Sequence, residues 1–218
     1  MGNVFDQRKA VLFDIDGTLV DSNEYHVAAW VEAFRRYGIP VPAEAIRPQI
    51  GKGGDKLVPS VDSQIDPQAV KELSSLHDEV FRARYLARVQ PFADAAELIR
   101  RVHEAGLKIV LASSAKQAEI DHYIGLLGVE SLIDGSTSAD DVQQSKPARD
   151  IFAAALEKLA LRSPKEAVVV GDTPYDIEAA RKCELDTIAV LSGGFDEGTL
   201  SGAIAIYPSV TELLATFK

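Results

Sequence analysis

The sequence predicts an α/β fold, a Rossmann-like doubly wound parallel sheet with an inserted small α-helical cap domain. Short apolar runs rich in Val and Ile alternate with helical patterns along most of the chain, whereas one long stretch carries helical patterns without a convincing strand. Strands that alternate with helices are typical of a parallel sheet covered by helices on both faces. The runs that we interpret as buried strands are 10–15, 107–112, 131–135, 166–171, 187–191 and 203–207.

Helical patterns, in which Leu, Ile, Ala and Val recur at intervals of three and four residues, separate these strands. The stretch from Asp21 to Arg88 contains two more such patterns, joined by the glycine-rich segment P-Q-I-G-K-G-G-D-K-L. We therefore predict a core domain of residues 1–20 and 90–218 and a helical cap domain of residues 21–89. The helices predicted in the core are 93–105, 115–127, 148–160, 174–184 and a last helix that begins near Ser209.

Composition limits the classes of partner. The chain has 218 residues, of which 46% are hydrophobic and 26% charged, and its formal net charge is −10. Nucleic acid and anionic membranes are therefore excluded as main partners, because both require a basic surface. No apolar run approaches the roughly 20 residues of a membrane span, and residues 1–9 lack the apolar core of a secretory signal. We expect a cytoplasmic protein with no obligate protein partner.

Four polar clusters follow predicted strands or precede predicted helices. In a doubly wound sheet, ligands bind at the carboxyl ends of the strands. Each cluster alone is also typical of an ordinary turn or helix cap. Together they indicate a site, because independent turns have no reason to place acids, hydroxyls and a lysine at one edge of a sheet. The clusters are Asp14 with Asp16, Ser113 with Ser114, Lys146, and Asp172 with Asp176.

These residue types suit phosphoryl transfer. Asp14, Asp16 and Asp172 offer the hard oxygen ligands that Mg²⁺ accepts, and a cation would offset the repulsion between the acids. A carboxylate can attack phosphorus once Lys146 and the cation neutralise the charge of the phosphoryl group. The Ser113 hydroxyl would hold another phosphate oxygen. Asp16 could then protonate the leaving alcohol and later deprotonate the attacking water.

Four ordered motifs resemble those of the haloacid dehalogenase-like superfamily of phosphohydrolases. They are D-I-D-G-T, a strand ending in L-A-S-S, S-K-P-A-R-D and V-V-V-G-D-T-P-Y-D, and they extend over essentially the whole chain. The stretch between the first two motifs resembles the helical cap of members similar to phosphoglycolate phosphatase and beta-phosphoglucomutase. The resemblance implies a magnesium-dependent phosphatase that hydrolyses a small phosphorylated metabolite, a phosphate monoester, through an aspartyl-phosphate intermediate.

The resemblance also implies a role for each motif residue. Asp14 matches the nucleophile, and Asp16 matches the acid/base, which also binds the metal through its backbone carbonyl. Asp176 matches the second acid of the fourth motif, which more often supports the metal site than binds the ion. The residues implied on the phosphate are Ser113 and Lys146, those implied at the metal are Asp14, Asp16, Asp172 and Asp176, and further substrate-binding candidates are Thr18 and Ser114.

The second aspartate, Asp16, helps to choose among the reactions of the family. Members that cleave carbon–halogen bonds lack it, because no leaving alcohol needs a proton. The main alternative is a sugar-phosphate mutase, since D-S-N-E-Y-H-V-A-A-W and L-A-S-S-A-K are similar to segments of beta-phosphoglucomutase. The cap loop has glycine where that enzyme has an arginine, and Gly171 precedes Asp172 where it has glutamate, so we favour a phosphatase. A non-catalytic binding protein is disfavoured because Asp14 and Lys146 are both present.

Cap residues are predicted to determine specificity. Gly53 and Gly54 permit a close approach of the backbone, and Lys52 or Lys56 could meet an anionic tail of the substrate. The same two lysines could supply the Schiff base of a phosphonate hydrolase, which we disfavour because cap lysines are usually solvated. Lys116 either reaches the substrate across the cleft or faces water.

The histidines of the sequence leave two interpretations open. His26 matches a histidine that assists the acid/base in the mutase, and it is equally interpreted as a polar hinge residue between the domains. His77 and His103 lie in amphipathic patterns without an acid or cysteine at metal-binding spacing, so we predict structural roles for them. Aromatic residues at helical spacing that we predict as cap core are Trp30, Phe34 and Tyr37.

Overall fold

The predicted parallel sheet is present in the computed structural model, which describes residues 4–217. Residues 1–3 and 218, which the sequence analysis assigned to the core, lie outside the described residues. The strands are β1 (Ala10–Phe13), β2 (Val20–Asp21), β3 (Gln90–Pro91), β4 (Lys108–Ala112), β5 (Gly135–Thr137), β6 (Ala167–Gly171), β7 (Asp186–Val190) and β8 (Ala205–Tyr207). Six of them form a sheet in the order β5-β4-β1-β6-β7-β8, with every neighbouring pair parallel. This topology confirms the predicted fold class.

Helices alternate with the strands of this sheet, and their bounds agree with the sequence prediction to within three residues. Some ends have clear causes. For example, α4 begins where Asp66 accepts hydrogen bonds from the backbone N–H groups of Gln68 and Ala69, and Pro67 occupies the first turn. The helices are α1 (Asn23–Tyr37), α2 (Ala43–Ile46), α3 (Gly54–Val61), α4 (Pro67–Arg84), α5 (Ala95–Glu104), α6 (Gln117–Leu127), α7 (Asp150–Glu157), α8 (Pro174–Arg181) and α9 (Val210–Leu214).

Both faces of the six-stranded sheet are buried, which explains why its strands are continuous apolar runs. Successive side chains of a strand point to opposite faces. Val11 and Phe13 of β1 join one apolar cluster with residues of α5, α6 and α9. Ala10 and Leu12 join a second cluster with residues of α7 and α8. The sheet therefore forms the middle of three layers.

The third predicted strand, which corresponds to β5, is displaced in the structure. The run 131–135 was predicted as a strand, but residues Glu130–Leu132 form a short 3₁₀ turn and β5 covers Gly135–Thr137. Helix α6 ends at Gly128, whose φ of 65° turns the chain, and the turn follows it. Pairing with β4 then begins at Gly135, opposite Val110. The prediction of this strand was wrong by four residues at its start, because apolar residues of the turn resemble a strand in sequence.

Helices α1 to α4 lie between β2 and β3 and have an apolar cluster of their own. Trp30 and Phe34 are buried in this cluster and Tyr37 packs against it, as the helical spacing indicated. The two connections to the sheet pair with each other, because β2 and β3 form an antiparallel ribbon. The sequence analysis predicted no strand here, since two residues carry no periodic pattern. We call residues 21–89 the cap below, and its exact bounds stay a prediction.

The order of the strands determines where a ligand can bind. From β1, the chain adds β4 and β5 on one side and β6, β7 and β8 on the other. The direction of winding therefore reverses at β1, and a crevice opens at the carboxyl ends of β1, β4 and β6. Asp14, Ser113 and Asp172 directly follow these three strands.

In residues 4–217, no helix combines the length and the apolar character that crossing a bilayer requires.

Candidate active site

Asp14 lies at the centre of the crevice, one residue beyond β1. Its backbone N–H donates to the carbonyl of Val170 at 2.9 Å, so the neighbouring strand β6 fixes its position. The carboxylate is buried and contacts the ammonium of Lys146 through Oδ1. Burial, the largest cause, and the charges of Asp176 and Asp16 raise the pKa of Asp14 to about 7, although Lys146 opposes this shift.

Lys146 is fully buried between two carboxylates. Besides Asp14, its Nζ lies 2.8 Å from Asp176 Oδ1, and the side chain is 1% exposed. Burial alone would lower the pKa of Lys146, but the charges of Asp14 and Asp176 raise it above its usual value. Lys146 therefore stays protonated and places a fixed positive charge beside Asp14.

The carboxylates of Asp14, Asp172 and Asp176 form an acid cluster, with one oxygen of each lying within 4.8 Å of the others. Asp176 is fixed by its helix, because its Oδ2 accepts from the backbone N–H and the hydroxyl of Thr173 at the start of α8. Burial and the charges of Asp14 and Asp176 raise the pKa of Asp172. One lysine among three buried acids leaves this cluster short of positive charge.

The acid cluster fits a hard dication by its donor atoms and by the space around Asp172. A Cβ on Gly17 would lie 2.3 Å from Asp172 Oδ2, and one on Gly193 would lie 1.6 Å from it. Asn23 donates to the same oxygen at 3.1 Å, while its own buried Oδ1 has no hydrogen-bond partner among the described residues. Carboxylate and amide oxygens are the ligands that Mg²⁺ prefers.

Asp16 lies outside the acid cluster, on the side of the crevice that faces the cap. Its Oδ1 accepts from the Ser22 hydroxyl at 2.6 Å and lies 3.2 Å from His26 Nε2, while the Ser113 hydroxyl lies 3.4 Å from its Oδ2. Burial would raise the pKa of Asp16, but the charge and hydrogen bonds of His26 and Ser22 lower it. The pKa of His26 is raised in turn, chiefly by Asp16 against the effect of burial. Together Asp16 and His26 hold one mobile proton.

A chain of polar contacts leads from Asp16 through the cap and back to the core. His26 Nδ1 lies 3.2 Å from His77 Nε2, and His77 Nδ1 lies 3.1 Å from Asp78 Oδ1. Lys116 Nζ, at the start of α6, completes the chain at 2.5 Å from Asp78 Oδ2. Burial lowers the pKa of His77, so a neutral His77 accepts from His26 and donates to Asp78. Lys116 therefore reaches across the cleft to Asp78 of the cap, with half of its side chain exposed, and its contact with a substrate stays a prediction.

His77 is buried and stacked as a structural residue would be, but it has an acid partner that the sequence analysis did not expect. It lies against Trp30, with ring centroids 4.2 Å apart, and it also lines the cavity between cap and core. The acid that orients it is its immediate neighbour Asp78, a spacing typical of neither metal sites nor helix faces. Sequence spacing alone therefore gave no sign of this contact.

A cavity of about 300 Å³ separates the cap from the crevice, a size suited to a small metabolite. Predicted site residues that line it are Asp14, Asp16, His26, Lys52, Gly53, Gly54, Ser113, Ser114 and Lys116, and those behind its surface are Thr18, Lys146, Asp172 and Asp176. Thr18 donates to Asp172 at 3.0 Å and lies 3.4 Å from Asp14 Oδ2, so its hydroxyl supports the acids.

The ammonium groups of the two cap lysines both have neutral hydrogen-bond partners, and of the two residues only Lys52 lines the cavity. Lys52 Nζ contacts Gln49 at 2.6 Å and Ser60 at 2.9 Å, and lies 4.5 Å from the centre of the Tyr175 ring, and none of these residues lines the cavity. Lys56 lies on α3, away from the cavity, and donates to Gln144 at 2.8 Å. The expectation that either lysine meets an anionic tail finds no support in this geometry.

The glycine-rich segment contacts the loop that carries Lys146. The Gly53 N–H donates to the Ser145 hydroxyl at 3.0 Å, and Asp55 accepts from Ser145. A Cβ on Gly53 would lie 2.6 Å from Ser145, and one on Gly54 would lie 2.1 Å from Ser74, so close packing requires both glycines. The predicted loop is shorter than expected, because α3 begins at Gly54.

Glu119, which the sequence analysis missed, lines the cavity from α6. Its Oε1 lies 3.8 Å from His26 Nε2 and 3.4 Å from the Tyr123 hydroxyl. Burial, the largest cause, and the charges of Asp16 and Asp78 raise the pKa of Glu119 to about 7, against the effect of His26. Its position in an ordinary amphipathic helix gave no sign of a role at the site. The sequence analysis also assigned no role to Asn23 or to Ser145.

Replacing Glu119 should change how stability depends on pH. Because the pKa of Glu119 is about 7 in the folded protein and 4.5 in a model peptide, its contribution is complete below pH 4.5 and is lost as pH rises through about 7. The free energy of unfolding of Glu119→Gln relative to wild type should rise by roughly 1–3 kcal/mol from pH 5 to pH 8. Urea unfolding in EDTA measures this difference. Glu157→Gln, an exposed control, should show none, and a pH-independent difference for Glu119→Gln would contradict the assignment.

Comparisons with known proteins agree with the fold and the motifs. A hydrolase of known structure from Pseudomonas syringae is 31% identical, with a TM-score of 0.88 over 95% of this chain and 97% of that one. Pyrophosphatase PpaX of Halalkalibacterium halodurans is 26% identical over 83% of this chain and 82% of its own length. Protein SUPPRESSOR OF QUENCHING 1, chloroplastic, of Arabidopsis thaliana is 33% identical over 89% of this chain, which spans 18% of that protein.

The family itself follows from a match over most of the chain. The model of the haloacid dehalogenase-like hydrolase family covers residues 8–184, a range that includes all four motifs, the cap and the acid cluster. This match confirms the predicted resemblance and the expectation of a hydrolase. The chain therefore belongs to the haloacid dehalogenase-like hydrolase family.

Proposed function

We propose that this protein is a magnesium-dependent phosphatase that hydrolyses a small phosphate monoester through an aspartyl-phosphate on Asp14. The observation that carries the proposal is the contact of the buried Lys146 ammonium with the Asp14 carboxylate, beside the other two acids of the cluster. This arrangement supplies a nucleophile and a positive charge at one point, as attack on an anionic phosphoryl group requires.

In the first step, a carboxylate oxygen of Asp14 forms a bond to phosphorus while the bond from phosphorus to the leaving alcohol oxygen breaks. Lys146 balances the charge of the phosphoryl oxygens, and the hydroxyl of Ser113 donates to one of them. The oxygen of the departing alcohol takes the proton that Asp16 and His26 hold between them. The alcohol therefore leaves neutral.

In the second step, Asp16 acts as a base. Its carboxylate removes a proton from water, the hydroxide bonds to phosphorus, and the bond from phosphorus to Asp14 breaks. This step releases phosphate, restores the Asp14 carboxylate and returns one proton to the pair of Asp16 and His26. His26 contributes by holding Asp16 in place through the 3.2 Å contact and by storing the proton between turnovers.

The metal would be bound by Asp14 and Asp172, with Asp176 and Asn23 in supporting positions. When bound, Mg²⁺ supplies positive charge to the transferring phosphoryl group. Burial, and after it the charges of the neighbouring acids, raise the pKa values of Asp14 and Asp172, and a bound cation would offset both effects.

Asp14→Asn should abolish phosphate release from para-nitrophenyl phosphate, because the amide is no nucleophile. We expect a loss in kcat on the order of 10⁴ or more, with an unchanged circular dichroism spectrum. Asp6→Asn, an exposed acid remote from the crevice, is the matched control and should keep wild-type activity. Residual activity of Asp14→Asn within tenfold of wild type would refute the mechanism.

The same assay separates a phosphatase from a mutase. With beta-glucose 1-phosphate and a trace of the 1,6-bisphosphate, a phosphatase releases inorganic phosphate. Isomerisation without phosphate release would replace the proposed hydrolysis by mutase activity.

Asp16→Ala should slow both steps by about 10²–10⁴, since the variant lacks the group that moves protons in each. Mass spectrometry of acid-quenched samples with an activated ester, whose leaving group needs no proton, should show a phosphoenzyme that outlasts that of wild type. Asp14→Asn combined with Asp16→Ala should show none. Absence of the adduct in Asp16→Ala while ester is still consumed would argue against Asp14 as the nucleophile.

Gly193→Ala should weaken Mg²⁺ binding, because the added Cβ would lie 1.6 Å from Asp172 Oδ2 and displace the carboxylate. We expect a Kd raised by about tenfold or more in isothermal titration calorimetry. Gly125→Ala on α6 is the control, since its Cβ would meet only Glu130 at an ordinary 3.6 Å. Equal Mg²⁺ affinity of the two variants would exclude Asp172 from the metal site.

A further inference from the structure

The charges on the cavity wall differ sharply between its two ends. At the crevice end, Lys146 lies behind Asp14 and gives a phosphoryl group its positive partner. At the cap end, the wall is rich in carboxylates that a leaving group would meet. The carboxylates there are Asp55, Asp78 and Glu119.

Each cation near the cap end already has an ion-pair or hydrogen-bond partner. Lys116 is neutralised by Asp78 at 2.5 Å, and His26 is neutralised by Asp16. Lys52 lines the cavity, and its ammonium is held by Gln49 and Ser60 and lies over the ring of Tyr175. Among the residues of 4–217 that line the cavity, none is an arginine.

Two carboxylates remain without a close cation inside the cavity. Asp55 accepts hydrogen bonds from Ser145 and has Lys56 at 3.9 Å, outside the lining. Glu119 Oε1 lies 3.8 Å from His26 Nε2, but the same nitrogen lies closer to Asp16 Oδ1, at 3.2 Å. A second anionic group on the substrate would therefore meet the carboxyl groups of Asp55 and Glu119 and only cations that already have partners, which is unfavourable in a partly closed cavity.

We infer that the leaving alcohol is an uncharged polyol, so that the substrate is a sugar or sugar-alcohol phosphate with a single anionic group. This inference rests on the proposed phosphatase function and adds the class of leaving group. Hydroxyl groups donate hydrogen bonds to Asp55, Asp78 and Glu119, which have acceptor capacity to spare. Phosphorylated acids, bisphosphates and pyrophosphate are excluded by the same carboxylates.

The aromatic part of the wall fits such a ligand. Trp30 and His77 stack at a centroid distance of 4.2 Å, and both rings line the cavity. Only 4% of Trp30 and 8% of His77 is exposed, so the two rings add a small apolar patch beside the carboxylate acceptors. The volume of about 300 Å³ is of the size expected for a ligand of a few carbon atoms to one sugar unit.

The inference is tested with ester pairs that differ in one group. Sorbitol 6-phosphate and 6-phosphogluconate share a six-carbon chain, and glycerol 3-phosphate and 3-phosphoglycerate share a three-carbon chain, with a CH₂OH group replaced by a carboxylate. With Mg²⁺ present, kcat/KM should be at least about tenfold higher for the polyol ester, as expected for one unfavourable charge contact. Equal values, or faster hydrolysis of the carboxylate esters or of pyrophosphate, would overturn the inference.

Two variants should move this ratio in opposite directions. Asp78→Asn releases Lys116 from its partner, so the ratio should fall by about tenfold in favour of the carboxylate ester. Lys116→Met leaves Asp78 uncompensated, so the ratio should rise. If either variant also disturbs Asp16, kcat/KM falls by the same factor for both esters of a pair, because both undergo the same phosphoryl transfer. The ratio is then unaffected by that disturbance. Glu157→Gln is the exposed control and should leave the ratio unchanged, and shifts of both variants in the same direction would refute the assignment.

Failure of this inference is distinguishable from failure of the proposed function. Hydrolysis of para-nitrophenyl phosphate that depends on Asp14, together with no preference for polyol esters, refutes the leaving-group class alone. Hydrolysis of that ester with no turnover of either polyol ester refutes it equally. Loss of the dependence on Asp14 refutes the phosphatase mechanism, and the leaving-group class with it.

Discussion

The ion pairs of Lys146 are the interaction on which the rest of the site depends. Moving an ammonium out of water costs several kcal/mol, so a fully buried lysine requires partners that are fixed in place. Asp14 is fixed by the hydrogen bond of its backbone to β6, and Asp176 is fixed as the cap of α8. The two carboxylates that pair with the lysine are therefore fixed by the sheet and by the N-terminus of a helix, respectively. Loss of both carboxylates would leave the ammonium uncompensated, which costs about 3–5 kcal/mol.

The neighbour of Lys146 connects this charge to the cap. Ser145 contacts Gly53 and Asp55 through its backbone N–H and its hydroxyl, so the segment that carries the lysine is also a docking surface for the start of α3. A second connection runs through Lys116 and Asp78. These two contacts are among several that join cap and core, and both involve residues that line the cavity. They connect the position of the cap to the segments that carry Lys146 and Lys116.

The sequence was informative where the physical signal is local. Buried strands appear as apolar runs, and Asp14, Asp16, Lys146 and Asp172 follow strands or precede helices in recognisable motifs, so the class of fold and these positions could be predicted. His77, Asp78, Glu119 and Ser145 could not, because each lies in an ordinary helix or loop and acquires its role from a residue remote in sequence. The direction of a long side chain was equally unpredictable, since Lys52 and Lys56 bend towards neutral partners that only the folded chain brings near.

The two ends of the cavity apply one electrostatic rule with opposite results. At the crevice end, acids outnumber cations and are buried together, so under the proposed function the cluster would hold a metal ion and, with Lys146, balance the charge of a phosphoryl group. At the cap end, Asp78 is paired with Lys116, so the acids there would disfavour a second anion and would accept hydrogen bonds instead. An ester with one phosphate would then have one favourable orientation in the cavity. The same ion pairs would thus orient the substrate, with its phosphate towards Asp14 and its neutral part towards the cap.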